Sequence, residues 1–336
     1  MLLGFVLSAT IATTGVEAFV SLSAPQSSFL RTSKFSGSAI EAGPIFAQNG
    51  GLNLRNAGRN RPSNLNTFMS APVKGGLSLE YLTADSTKIA YDFIPGNKPT
   101  VVYLPSFNQT RFGSKASALQ TWCKRNKQGY FAADYYGCGG SGGQYQDGTI
   151  SRWTRDTVAL IENVVKGPVL LVGSGVGGWV MMHVALQRPK LVKGLVGIAP
   201  TPDFTKDVVL PELDADTKRK IKETGMAEIL WGGNTYTISQ KLIDDASDQL
   251  VLQGGSKSIG ITCPVRLIQG LGDKEIPPNR ALKICDVVAS EDVVITYVKY
   301  GDHMLDEEED FERMTADVAD LCSKIYEFDL SSPTSG

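Results

Sequence analysis

Residues 169–179 read VLLVGSGVGGW: a β-branched run, a glycine cluster, then the start of an apolar helical pattern. Two chemistries use a strand, a glycine-rich turn and a helix in that order. As G-x-G-x-x-G, through Gly173, Gly175 and Gly178, the turn matches the dinucleotide fingerprint, whose backbone N–H groups and helix N-terminus cradle a pyrophosphate. As G-x-x-x-G, from Gly173 to Gly177, it matches a nucleophile elbow, G-x-S-x-G, with glycine in the central place. The flanking strands decide between them.

A dinucleotide fingerprint is completed by a carboxylate at the end of the next strand, where it holds the ribose hydroxyls. Here the next apolar run ends Gly197-Ile198-Ala199-Pro200, with no acid. At least two strand-like runs also precede the turn, whereas that fingerprint normally opens its domain. An NAD(P)-binding protein using GSGVGG is therefore the minor alternative.

The elbow makes two demands of its own: an acid after a later strand, then a histidine after the last one. VRLIQG is followed by LGDKEIP, placing Asp273 on the loop leaving a strand, and VVITYV is followed by KYGDHM, placing His303 just past the final strand. An imidazole base needs a carboxylate to fix its tautomer and stabilise its charged form. Asp302 is adjacent in sequence, but neighbouring side chains diverge, so Asp273 is the expected partner. His183, one helical turn after Trp179, is expected to be a packed or hydrogen-bonded core residue.

Outward from the turn, apolar runs alternate with helical patterns. A hairpin turning at Ala84-Asp85-Ser86 comes first, then TVVYLP (100–105), a helix around 116–125, YFAADY (130–135) and a helix over 149–166. The strand 169–172 leads to a helix ending at Gln187 and a strand over 195–198; VRLIQG, a helix over 279–288, VVITYV and a helix over 309–326 complete the pattern. This β-α-β alternation predicts a mostly parallel central sheet with helices on both faces. The charged segment 203–258 interrupts it, with KRKIKETGMAEILW and SQKLIDDASDQLVL reading as helical. It is expected to form a helical cap over the strand ends, inserted before the last strands.

At 336 residues and 42% hydrophobic, the chain is long enough for one large domain with its own core, expected over 75–328 with a tail at 329–336. A net charge of -2 gives no electrostatic case for nucleic acid. Cys123, Cys138, Cys263, Cys285 and Cys322 show no C-x-x-C spacing and are expected to be reduced thiols. With two histidines in the chain, no metal site is expected, and no cofactor either. Residues 1–18 read as a signal-like segment with a short apolar core. From 19 to 74 the only acid is Glu41 against six basic residues, a transit-like composition. The Ala18-Phe19 junction resembles the signal-plus-transit boundary of proteins sent to secondary plastids, so a plastid address is expected, with the mitochondrion as the alternative. No other stretch is long and apolar enough to span a bilayer, so no membrane span is expected in the mature protein.

Several stretches, LPSFNQTRFGSKA, FAADYYGCGGSGG, WTRDTVALIENVVKGPVLLVGSGVGGWVMMHVALQRPKLV, CPVRLIQGLGDKEIP and GDHM, resemble the abhydrolase-domain family of mitochondrial palmitoyl-protein thioesterases, also known as acyl-glucuronide esterases. The resemblance covers about residue 100 to the last helix. It implies an α/β-hydrolase fold and ester or thioester ligands, an acylated protein among them, with Asp273 and His303 as acid and base. An oxyanion hole is expected from the backbone N–H of Val176, the residue after the elbow, and of Phe107, in the loop after TVVYLP. That loop reads PSFN where such enzymes often carry glycines.

The family turn has two serines, the second being the nucleophile; here the first matches Ser174 and the second is Gly175. Glycine has no side chain with which to attack a carbonyl, and losing the serine of a comparable triad costs on the order of a millionfold in turnover. Activity is therefore expected to be weak, altered or lost. Three readings stand: a non-catalytic protein that binds an acyl ligand or a partner, a hydrolase in which His303 activates water, and a hydrolase in which Ser174 attacks. The third is disfavoured, because successive side chains at a strand end point to opposite faces.

Overall fold

The computed structural model describes residues 80–331. The signal-like and transit-like segments, 1–18 and 19–74, lie outside the described residues, as does 332–336. An antiparallel hairpin, β1 (Glu80–Ala84) and β2 (Thr87–Ile94), turns through Asp85 and Ser86, both at positive φ. After β3 (Asn97–Leu104) come α1 (Ser114–Arg125), β4 (Gln128–Ala133), α2 (Ile150–Leu160) with a π-helical turn at its end, and β5 (Val169–Ser174). Next are α3 (Val176–Gln187) and β6 (Val192–Ile198).

Strands β9 (Val265–Gly270) and β10 (Val293–Val298), with α7 (Arg280–Val287) between them and α8 (Glu308–Ser331) after, close the main layer. The eight-stranded sheet runs β1-β2-β4-β3-β5-β6-β9-β10. Strands β1, β2 and β4 pair antiparallel, and every other neighbouring pair is parallel.

The β5 run shows why the sheet is covered on both faces. Val169 and Leu171 pack into a core with Trp153, Val158 and Trp179 from α2 and α3, while Leu170 and Val172 pack with Leu119, Val318 and Leu321 from α1 and α8. All four β5 side chains are fully buried. A strand apolar on both sides is what a helix-flanked parallel sheet requires.

Between β6 and β9 lies the cap: a π-helical turn, α4 (Leu210–Glu212), α5 (Ala215–Thr224), β7 (Met226–Trp231), β8 (Asn234–Ser239) and α6 (Gln240–Asp248). KRKIKETGMAEILW does not continue as one helix. Gly225, at φ 83°, ends α5 by donating its N–H to the Ile221 carbonyl, the left-handed glycine stop that helices favour. Beyond it the side chains alternate, with Ala227, Ile229 and Trp231 buried and Leu230 exposed, a period of two that suits a strand and not a helix. The β7–β8 hairpin turns through Gly232 and Gly233, both at positive φ. Asp203, fully buried, ties the start of the cap to its end by accepting from the backbone N–H groups of Val251 and Leu252, each at 2.8 Å.

Candidate active site

The glycine turn at the end of β5 is a strand-to-helix elbow. Gly175 sits at φ 51°, ψ −119° and precedes the first residue of α3. Its neighbours are glycines for packing reasons. A Cβ on Gly177 would run into the Leu104 carbonyl at the end of β3, and one on Gly178 would lie 2.9 Å from Pro200 Cα. A Cβ on Gly173 would meet the backbone of α3, 2.7 Å from Gly178 N. Protein atoms therefore take the space these glycines leave, and the cluster serves the close crossing of β3, β5 and α3.

Asp273 and His303 leave the C-terminal ends of β9 and β10, on the same edge of the sheet as the elbow, where open α/β sheets place their ligands. His303 Nδ1 lies 2.9 Å from Asp273 Oδ2, and since a carboxylate only accepts, the ring nitrogen is the donor. Asp273 Oδ2 also accepts from Gln269 Nε2 at 2.9 Å, and Oδ1 accepts from the backbone N–H groups of Glu275 and Ile276, each at 2.8 Å. Burial alone would raise the Asp273 pKa; the hydrogen bond and charge of His303, with the two backbone donors, outweigh it and hold the carboxyl below its ordinary value. Asp273 is thus an ionised group that fixes one face of the imidazole and leaves Nε2 free to move a proton.

The two amides expected from the sequence as oxyanion donors are unspent. Among the described residues, neither the Phe107 nor the Val176 N–H is used in a hydrogen bond, although both residues are buried. The loop carrying Phe107 is closed by the Gln109 N–H bonding the Ser106 carbonyl at 3.0 Å. It is anchored by Arg111, whose backbone N–H donates to Asp134 Oδ1 at 2.7 Å and whose guanidinium pairs with Asp134 and Asp92. That buried anchor was not read from the sequence.

The remaining residues singled out from the sequence divide clearly. Ser174 is buried and shares its face of β5 with Leu170 and Val172, on the α1/α8 side of the sheet, so it faces away from the elbow. Asp302 accepts from the backbone N–H groups of Met304 and Leu305, which makes it a turn former. His183 Nε2 lies 2.9 Å from the Gln249 carbonyl and also packs inside the fold. All five cysteines are unpaired.

Two residues that the sequence did not single out complete the site. Glu275, 4% exposed, places Oε2 3.7 Å from His303 Nε2 and is itself held by Asn234 Nδ2 at 2.7 Å and the Tyr236 hydroxyl at 2.8 Å. The tip of the cap hairpin therefore closes over the histidine. The second residue is Ser106, which lies against Gly175. A Cβ on Gly175 would run into Ser106 Oγ and lie 3.0 Å from Ser106 Cβ. The signal for that neighbourhood was the pairing of β3 with β5: Leu104 is in register with Gly173, and two residues on from each come Ser106 and Gly175.

Phe107 also forms one wall of an aromatic group with Tyr145, Trp153, Phe204 and Tyr236. Beside it a cleft of about 960 Å³ runs from Asn108 past Tyr145 to Glu228 and Thr237 of the hairpin. The cleft meets the oxyanion loop and does not include His303, which Glu275 and the hairpin cover. Among the described residues no helix is long and apolar enough to cross a membrane.

Residues 111–230 match the model of a family described as serine aminopeptidase, S33. The mouse mitochondrial palmitoyl-protein thioesterase ABHD10 is 32% identical over 254 residues, covering 74% of this chain and 84% of the mouse protein. The solved structure of mouse ABHD10 superposes with a TM-score of 0.67 at 30% identity, covering 74% of this chain and all of that one. A putative hydrolase from Agrobacterium vitis S4 gives 0.68 at 30% identity over 74% of this chain and 99% of that one. The chain belongs to the α/β-hydrolase family that includes ABHD10.

Proposed function

We propose that this protein hydrolyses acyl esters or thioesters, with His303 as general base and acid, Asp273 as the carboxylate that orients it, and Phe107 and Val176 as oxyanion donors. The observation that carries this reading is the coexistence of an Asp273–His303 pair at 2.9 Å with two backbone N–H groups, of Phe107 and Val176, that make no hydrogen bond among the described residues. Donors left free in this way are what a developing oxyanion requires. Gly175 excludes an acyl-enzyme on the elbow, so catalysis begins with another oxygen that gives its proton to His303 Nε2.

The relatives are named as mitochondrial palmitoyl-protein thioesterases. Those names support a long-chain acyl thioester, on a protein or a smaller carrier, as the substrate class, and the aromatic wall around Phe107 suits an acyl chain. They also favour the mitochondrion over the plastid as the destination addressed by residues 19–74.

The test is turnover of a short acyl thioester by the purified protein beside His303→Ala and Asp273→Asn. Activity that is lost in His303→Ala supports the reading; activity indifferent to His303 overturns it. Gly175 by itself favours a second reading, a non-catalytic acyl-binding protein. That protein would show a ligand-induced rise in melting temperature with no product formed.

A further inference from the structure

We propose that the nucleophile of this site is Ser106, displaced from the elbow onto the oxyanion loop. This inference rests on the hydrolytic reading above and supplies the attacking oxygen which that reading leaves open.

The geometry at Gly175 carries it. The elbow keeps its backbone shape, φ 51°, ψ −119°, yet the side chain it exists to present is missing. Ser106 Oγ crowds the position that side chain's first atom would take, since a Cβ on Gly175 would run into it. Serines at both positions would crowd each other, and Ser106 would have to turn its hydroxyl away.

Three further features agree. Ser106 is half-buried, whereas Ser174 is 5% exposed. The residue after Ser106 is Phe107, whose backbone N–H is unspent, so the amide following the nucleophile serves the oxyanion as it does in an ordinary elbow. Val176 supplies the second donor from the other side, and the two donors exchange roles without moving.

The chemistry balances with water alone. Ser106 Oγ–H gives its proton to His303 Nε2 as Oγ adds to the acyl carbon, and the resulting oxyanion takes the Phe107 and Val176 N–H groups. Collapse breaks the carbon–sulfur or carbon–oxygen bond, and the leaving group takes the proton from Nε2. Water then adds to the acyl carbon, giving a proton to Nε2, and the second collapse returns that proton to Ser106 and releases the acid. Glu275 faces Nε2 at 3.7 Å, so the serine–histidine contact requires Glu275 to move aside; catalytic hydrogen bonds commonly tighten only with substrate bound.

The experiment is active-site labelling with a fluorophosphonate, mapped by peptide mass spectrometry, together with turnover of a short acyl thioester. It compares the full chain with Ser106→Ala, Gly175→Ser and the double variant Ser106→Gly/Gly175→Ser, with melting temperature as the folding control. The parent is expected to label at Ser106, and Ser106→Ala to lose the label and on the order of a thousandfold or more in turnover. Gly175→Ser alone is expected to fall below the parent because its hydroxymethyl group collides with Ser106, and the double variant to recover activity with the label moved to position 175. Parent-level turnover in Ser106→Ala, or a label on Ser174, overturns the proposal. An inert, unlabelled parent beside an active double variant overturns Ser106 as nucleophile while leaving the hydrolytic site standing. A folded but inert double variant, with an inert parent, overturns both.

Discussion

Removing one hydroxyl from the cap tests whether the hairpin tip is what closes the site. Tyr236 donates to Glu275 Oε2 at 2.8 Å, and Glu275 faces His303 Nε2 at 3.7 Å. Burial first, then the Glu275 carboxylate, push the Tyr236 hydroxyl above its ordinary pKa, so it remains a donor at any working pH. A hydrogen bond to a charged acceptor is worth about 1.5–3 kcal/mol. Tyr236 is half-buried and water replaces part of that bond, leaving about 1–2 kcal/mol, or roughly a 5–30-fold change in the opening equilibrium. In Tyr236→Phe the amide protons of β7 and β8 are expected to exchange faster by that factor, while those of β5 and β9 keep their parent rates. Combining it with Glu275→Gln in a double-mutant cycle isolates the pair: the hydroxyl loses most of its worth once the carboxylate is an amide. Unchanged hairpin exchange in Tyr236→Phe would refute the latch, because the hairpin would then be held by its other contacts, among them Asn234 on Glu275 and the apolar side of β7, Ala227, Ile229 and Trp231.

Other substitutions test neighbouring parts of the argument. Asp273→Asn is expected to lower turnover on the order of ten-thousandfold by releasing the imidazole tautomer, with a parent-like circular dichroism spectrum as the folding control. Gly232→Ala and Gly233→Ala share a positive φ, 57° and 92°, but a Cβ at 232 would collide with Glu275 whereas one at 233 meets nothing within 4 Å. In urea titrations the first is therefore expected to cost about 1–3 kcal/mol more than the second; equal losses would remove the proposed contact. Asp317 in α8 has its pKa raised from 3.8 to about 6, by burial first. Its folded form holds a proton that the unfolded chain has released, so it lowers stability as pH rises between those values, and the penalty is complete above them. Asp317→Asn is accordingly expected to stabilise by about 1 kcal/mol at pH 7, after screening by water, and by nothing measurable near pH 3.

Much of this fold was legible because its sheet is buried on both faces. Runs such as 169–172 are apolar at every position, and β-branched runs of that length between helical patterns leave little choice but parallel strands. Asp273 and His303 were legible for a related reason: each directly follows a strand of that kind, and parallel strands bring their C-terminal ends to one edge. The hairpin β7–β8 was misread as helix because MAEILW follows a helical run without a break in composition. What separates them is Gly225, whose left-handed conformation is a property of the folded chain.

The relation of Ser106 to Gly175 belongs to a different level of description. Neither residue has a local period or a neighbour in sequence that marks it, and Gly175 alone reads as a loss. Their proximity follows from one pairing, Leu104 with Gly173 in the β3–β5 ladder, because equal steps beyond a registered pair in parallel strands stay side by side. Once that register is known, a glycine at one position and a serine at the other form a single arrangement, and the substitution at the elbow cannot be judged without its neighbour. Glu275 is similar: it reads as a charge on a loop until the hairpin supplies Asn234 and Tyr236 to hold it against the histidine. An elbow position that looks vacant in sequence therefore carries a functional meaning only after the strand pairing around it is fixed, and here that pairing brings the Ser106 hydroxyl against Gly175.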